Sequence, residues 1–338
     1  MDWNNKKVLV TGGASFIGSH LTDALVKLGA HVRVADDLSS GRKENIQGHI
    51  DSGKAHFLEG DLKDQSFVRS VVSDQNVVFH LAADHGGRGY VDLHQAACAT
   101  NLGLDASVFL ACRDASVEKV VYASSGCVYP NFKQNDPTEM LYLTEEMVGP
   151  PYDADNMYGW AKLMAEMTLQ AYCREWGMKG ASCRYFTVYG ERGKEDHAVI
   201  AMIARSFIGQ NPFMVWGNGT QVRNWTYVGD IVQGTILAAE KVDDGTAINI
   251  GTTERTQVIE AVQAVLEYTG HNAEIQLQPN MPTGPYNRVA DNSLSKQLLN
   301  WEPTVMFQDG LRRTIDWYFS TKDKEEVRAT LEGKLTER

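Results

Sequence analysis

The sequence predicts an α/β protein: a doubly wound parallel sheet with a smaller mixed α/β substrate lobe. Three observations point there. Short β-branched runs alternate with amphipathic helical stretches. The first run empties into a glycine turn that opens a helix, Gly12 to Gly18. The second ends on Asp36 and Asp37, about 20 residues further on, where a carboxylate meets a ribose diol in dinucleotide-binding sheets. The 338 residues suffice for roughly two lobes. A formal net charge of -11 argues against nucleic acid or an anionic membrane as a partner. An anionic substrate then needs a few local Arg or Lys residues. Five cysteines without a C-x-x-C pair suggest a reducing cytoplasm and no structural metal. No run of 18 apolar residues suggests a membrane span, and the immediate entry into a strand suggests no signal peptide.

Taken in order, Lys7 to Thr11 (KVLVT) reads as a buried strand. The turn and helix start that follow bring Gly12, Ser15, Phe16, Ile17 and Gly18 to a pyrophosphate. Ser15 stands where a third glycine is expected and can donate its hydroxyl. His31 to Ala35 is the second strand. Its Asp36 repels a 2′-phosphate, so NAD is expected over NADP. Ala55 to Leu58 is the third strand, leading to Asp61 and Leu62 at the adenine. Val77 to Leu81 is the fourth, with Leu81, Ala82 and Ala83 expected along the cofactor. The glycine-rich loop Asp84 to Gly89 suggests backbone held close to a ligand. A helix from Leu102 to Arg113 and a fifth strand from Lys119 to Ser124 deliver Ser125.

The chemistry concentrates between Ser125 and Lys162. Tyr158 and Lys162 sit four apart in an amphipathic run, so they share a helix face. A free phenol has a pKa of about 10. A cation beside it favours the phenolate, which makes the pair a candidate base for an alcohol. Ser125 can hydrogen-bond the same alcohol, and Cys127 is a second proton-transfer candidate.

Thr-Gly-Gly-x-x-Phe-Ile-Gly, Asp36, Gly-Asp61-Leu, His-Leu-Ala-Ala, Ser-Ser-x-x-Val-Tyr and Tyr158-x-x-x-Lys162 occur in order. Together they resemble the extended short-chain dehydrogenase/reductases that act on nucleotide sugars, over roughly residues 7 to 320. The resemblance implies a Rossmann-type fold, NAD, a nucleoside-diphosphate sugar substrate and a homodimer. Three stretches resemble the GDP-mannose 3,5-epimerase branch: Ala-Ala-Asp84-His85-Gly86-Gly87-Arg88-Gly89, Ser125-Gly-Cys127-Val-Tyr-Pro, and Trp216-Gly-Asn-Gly-Thr-Gln-Val-Arg223. That branch implies an acid/base pair, with Cys127 as one member and Lys194 as the nearest match for the other. Arg223 and Arg288 match arginines that hold a substrate pyrophosphate, a role suited to bidentate guanidinium contacts. Gly86, Gly87, Arg88 and Thr187 are expected at the sugar. Thr187 stands where Asn is usual, and His85 and Arg88 replace apolar residues.

In such chemistry Tyr158 takes the C4 hydroxyl proton, and the resulting ketone acidifies C3 and C5. A 3- or 5-epimerase uses that acidity; a 4-epimerase does not. A UDP-sugar 4-epimerase or UDP-glucuronate decarboxylase is the nearest alternative, and a non-catalytic NAD sensor the remote one. Gly126-Cys127 in place of Asp-Glu disfavours dehydration.

In the second half, helices are expected at 198–209, 230–241, 256–269 and 307–320, with a short strand at 212–216. The cofactor domain is expected to comprise residues 1–186 plus 226–252, and the substrate lobe 187–225 plus 253–320. Residues 321–338 read as a charged, solvated helix without chemistry.

Overall fold

The computed structural model describes residues 1–336. Seven parallel strands form one sheet. They are β1 (Lys7–Thr11), β2 (His31–Asp36), β3 (Ala55–Glu59), β4 (Val77–His80), β5 (Lys119–Ser125), β6 (Gly180–Tyr185) and a last strand, Asp244–Ile250. Their spatial order is last strand, β6, β5, β4, β1, β2, β3. Chain order reverses at β1, beside β4, which opens a crevice at the strands' carboxyl ends. Helices cover both faces, so the middles of central strands such as β1 and β5 carry apolar residues on both sides. Among the described residues no helix is long and apolar enough to cross a membrane.

β4 ends one residue earlier than the sequence suggests. The Thr11 hydroxyl accepts the amides of Leu81 and Ala82, each at 3.1 Å, and so draws the chain out of the sheet. The same hydroxyl lies 2.8 Å from His80 Nδ1, and His80 Nε2 lies 3.0 Å from Asp105. Tyr122 donates to the other Asp105 oxygen at 2.8 Å. This buried polar chain fixes the strand ends where the glycine turn begins.

The helix Asn156–Trp176 carries Tyr158 and Lys162. It begins beside the short turn after β5. Gly159 permits that approach, because a Cβ there would stand 2.3 Å from the Cys127 carbonyl oxygen. That carbonyl accepts the Asp155 amide at 2.8 Å. Two turns on, Glu166 accepts Arg184 Nε at 3.0 Å and Nη2 at 2.8 Å, and also the Ser124 hydroxyl. The helix is thereby tied to β5 and β6 in one register.

The smaller core gathers the helices Ala198–Ile208, Val258–Thr269, Phe307–Thr321 and Lys324–Lys334. A three-stranded sheet beside it has no sequence signal, because its strands are two residues long. Val222–Arg223 lies between Thr256–Gln257 and Asn287–Arg288, with Arg288 opposite Arg223. Two arginines 65 residues apart in sequence thus become neighbours. The tail differs from the solvated helix expected. Asp323 caps it, accepting the Glu325 and Glu326 amides at 3.0 and 2.8 Å. Val327, Leu331 and Leu335 are buried against the smaller core. They recur every fourth residue, a stripe masked by the surrounding charge.

Replacing Glu166 by Ala should cost about 3 kcal/mol in denaturant unfolding, because it leaves the Arg184 guanidinium buried without its carboxylate. A loss under about 0.5 kcal/mol, the size of an ordinary surface substitution, would show that this pair does not hold the helix.

Candidate active site

One cavity of about 380 Å³ runs from the glycine turn to the smaller core. At one end Gly12 has φ +67°, and a Cβ on it would lie 3.0 Å from the Ala82 amide nitrogen. A Cβ on Gly18 would lie 2.1 Å from the Gly12 carbonyl. Bare backbone is therefore required here, and it delivers the helix Phe16–Lys27 end-on to the cavity. Ser15 has turned its hydroxyl back to Gly12 O at 2.6 Å and does not cap the helix, so the amides of the first turn are left to a ligand. Asp36 is buried and accepts the Ala14 and Leu38 amides at 3.0 and 2.9 Å. A carboxylate has about four acceptor sites, so a ribose diol can share it. The cradle suits NAD: Gly12, Ser15, Phe16, Ile17 and Gly18 would hold its pyrophosphate, and Asp36 a ribose diol.

Leu81 and Ala83 line the cavity, while Ala82 packs its backbone behind Gly12. Asp61 is exposed, accepts the Lys63 amide at 2.8 Å, and does not line the cavity. Leu62 belongs to the core under the sheet.

Ser125, Cys127, Tyr158 and Lys162 meet at the cavity centre. Lys162 lies over the Tyr158 ring, on the shared helix face that the spacing suggests. Its Nζ donates to the Ala123 carbonyl at 2.8 Å and lies 5.7 Å from the Tyr158 ring centroid. Burial comes first and the Cys127 and Cys98 thiols next in pushing the phenol's pKa up, while Ser125 pulls it down. Burial likewise lowers the Lys162 pKa. Burial thus opposes ionisation of both the phenol and the ammonium.

The side near Cys127 is cationic. Arg288 donates to Cys127 Sγ at 3.2 Å, to Gln134 at 2.8 Å and to Asp155 at 3.0 Å. Arg88 grips the same Asp155 with Nη1, at 3.0 and 2.9 Å, and also binds Asp92. Burial alone would raise the Asp155 pKa, but Arg288 and Arg88 together bring it below the ordinary value. Arg223 donates only to carbonyls, Val222 O at 2.9 Å and Thr283 O at 2.8 Å. Burial, and then repulsion from Arg288 and Arg88, lowers its pKa. An anion bound there relieves both effects.

Gly86, Gly87, Arg88, Thr187 and Lys194 also line the cavity. Lys194 Nζ donates to Ser40 Oγ at 3.0 Å, towards the loop after β2. His197, three residues on, has its ring centroid 6.1 Å from that of His85, which is 6.4 Å from that of Tyr158. Asp155, His197 and Arg205 are site residues that sequence reasoning missed. Arg205 is 5% exposed and lines the cavity, and its Nε has no hydrogen-bond partner among the described residues. Its position inside a helical run looked like core. Asp155 stood in a turn without a motif.

The NAD dependent epimerase/dehydratase family model matches residues 8–251. GDP-mannose 3,5-epimerase 1 of Oryza sativa subsp. indica is 30% identical, covering 96% of this chain and 85% of that protein. UDP-N-acetyl-alpha-D-glucosaminuronate decarboxylase of Bacillus cytotoxicus is 29% identical, covering 93% and 98%. Among solved structures, UDP-glucuronic acid 4-epimerase from Bacillus cereus in complex with UDP-glucuronic acid and NAD superimposes with a TM-score of 0.82. It is 30% identical and covers 92% of this chain and 98% of that one. With its glycine cradle and its Tyr158, Lys162 and Ser125 set, the chain belongs to the NAD-dependent epimerase/dehydratase family of enzymes on nucleotide sugars.

Proposed function

We propose an NAD-dependent nucleotide-sugar epimerase that works through a transient 4-keto sugar and exchanges protons at C3, C5 or both. The supporting observation is Cys127, a thiol beside Tyr158 with an Arg288 N–H on its sulfur. A simple 4-epimerase needs no such group.

When bound, NAD would supply the acceptor and later the donor of the C4 hydride. Tyr158 takes the C4 hydroxyl proton and Ser125 orients that hydroxyl. Lys162, fixed by Ala123, would hold the nicotinamide ribose. The ketone acidifies the neighbouring C–H bonds. Cys127 takes or returns a proton there, and Arg288 meets the negative charge that develops on sulfur. The partner across the ring is Lys194 or His197. The second reading rests on the side chain of Lys194, which is drawn to Ser40, and on the link from His197 through His85 to Tyr158. Arg223, with Arg288 beside it, takes the diphosphate. The 4-epimerase and decarboxylase alternatives draw support from the UDP-sugar relatives, which match as closely.

The assembly follows from two packed helices. Asn101–Asp114 and Asn156–Trp176 leave Leu102, Leu110, Trp160 and Met164 between 37% and 46% exposed. We propose that a second copy covers this face and that the protein works as a homodimer in the cytoplasm. Met164→Glu should shift the mass in solution from dimer to monomer; a wild-type chain that runs as a monomer at micromolar concentration would contradict the dimer.

With GDP-mannose or UDP-glucuronic acid in D2O, NMR should show deuterium entering at C3 or C5. Cys127→Ala should stop that entry at one carbon or both while bound NAD is still reduced. Whichever of Lys194→Ala and His197→Ala removes label from the remaining carbon identifies the second group. A C4-inverted product without label would favour the 4-epimerase reading.

A further inference from the structure

We propose that the C-terminal helix Lys324–Lys334, with Leu335, completes the substrate cavity, and that Glu195 is the positioning residue tying it to the loop of Lys194, Asp196 and His197. This deepens the nucleotide-sugar reading and rests on it for the identity of the ligand.

Three segments distant in sequence meet here. The first is the glycine loop, 84–90. A Cβ on Gly87 would stand 1.8 Å from the Asp196 carbonyl oxygen, and the Gly87 amide donates to Asp196 Oδ2 at 2.9 Å. On the far side of the loop, a Cβ on Gly89 would stand 2.5 Å from the Leu335 carbonyl oxygen and 3.3 Å from the Trp216 ring. The glycine loop is thus held backbone to backbone between residues 194–197 and the end of the C-terminal helix. Leu335 is buried, and it lines the cavity together with Trp216 and Arg88.

Glu195 joins the other two segments. It is 3% exposed. Its carboxylate accepts the Tyr318 hydroxyl at 2.9 Å and pairs with Lys334 at 3.5 Å and Lys322 at 3.6 Å. Burial alone would raise its pKa; Lys322, Lys334 and the Tyr318 hydroxyl outweigh that and keep it ionised. Without the carboxylate, two ammonium groups converge with no counter-charge. The loop that bears Lys194, Asp196 and His197 then loses its tie to the C-terminal helix, and the glycine loop loses its support on both sides. Since His85 sits in that loop beside Tyr158 and His197, the loosening reaches the reacting sugar. A helix that merely covered an apolar stripe would need only Val327 and Leu331. It would not need a buried carboxylate on the catalytic loop or a backbone contact to Gly89.

The test uses the full-length, NAD-loaded protein, with GDP-mannose and UDP-glucuronic acid as probes. Glu195→Gln should speed amide exchange across Gly86–Tyr90 about tenfold, the equivalent of 1.4 kcal/mol of local opening. It should also lower kcat about tenfold through misplacement of the loop, with NAD content unchanged, and Glu195→Asp should restore most of both. Leu335→Ala should act mainly through KM, raising it about tenfold. Wild-type exchange and wild-type kcat in Glu195→Gln would overturn the proposal, even if thermal stability fell. The exchange measurement needs no substrate. If wild-type protein turns over neither sugar, the functional reading fails while the exchange result still decides this one.

Discussion

The site depends on one close approach: the first turn of the helix Asn156–Trp176 lies directly on the turn that follows β5. Gly159 is bare so that the Cys127 carbonyl can rest on it, and the Asp155 amide closes the contact. This brings the Tyr158 phenol, the Ser125 hydroxyl and the Cys127 thiol from two distant segments into one cavity. The Glu166–Arg184 pair holds the helix further along. Arg184 lies in β6 and Ser124 in β5, so one carboxylate fixes the helix to both strands. A slip by one residue would carry Tyr158 and Lys162 away from Ser125 together.

Charge is divided by the same geometry. Apolar burial at Tyr158 and Lys162 works against ionising either one. The positive groups are instead gathered where Arg88 and Arg288 both bind Asp155 and Arg223 lies opposite Arg288. A chain with net charge -11 thereby presents a local cationic surface to an anionic substrate. The glycine-turn end presents backbone amides and a carboxylate, Asp36, which accepts the Ala14 and Leu38 amides.

Much of this was legible in the residues. The main sheet follows from β-branched runs and the glycine turn, with edges off by a residue or two where side chains intervene, as Thr11 does at Leu81. The cavity centre was legible because Tyr158, Lys162 and Ser125 are tied to local spacing. What stayed hidden depends on long-range pairing. Two-residue strands carry no periodicity, so nothing in the sequence set Arg223 against Arg288. The orientation of Lys162 depends on the Ala123 carbonyl, which helical spacing cannot reveal. The C-terminal stripe at Val327, Leu331 and Leu335 was outweighed by the charges between them.

The central claim is that Tyr158 abstracts the proton that starts oxidation at C4. The direct measurement compares Tyr158→Phe with wild type for turnover and deuterium entry with a nucleotide sugar, with NAD retention as the control. The account predicts a loss of about 10³-fold in both rates, within the range of a positioned acid/base group, with NAD retained. Undiminished turnover or label in Tyr158→Phe would contradict it.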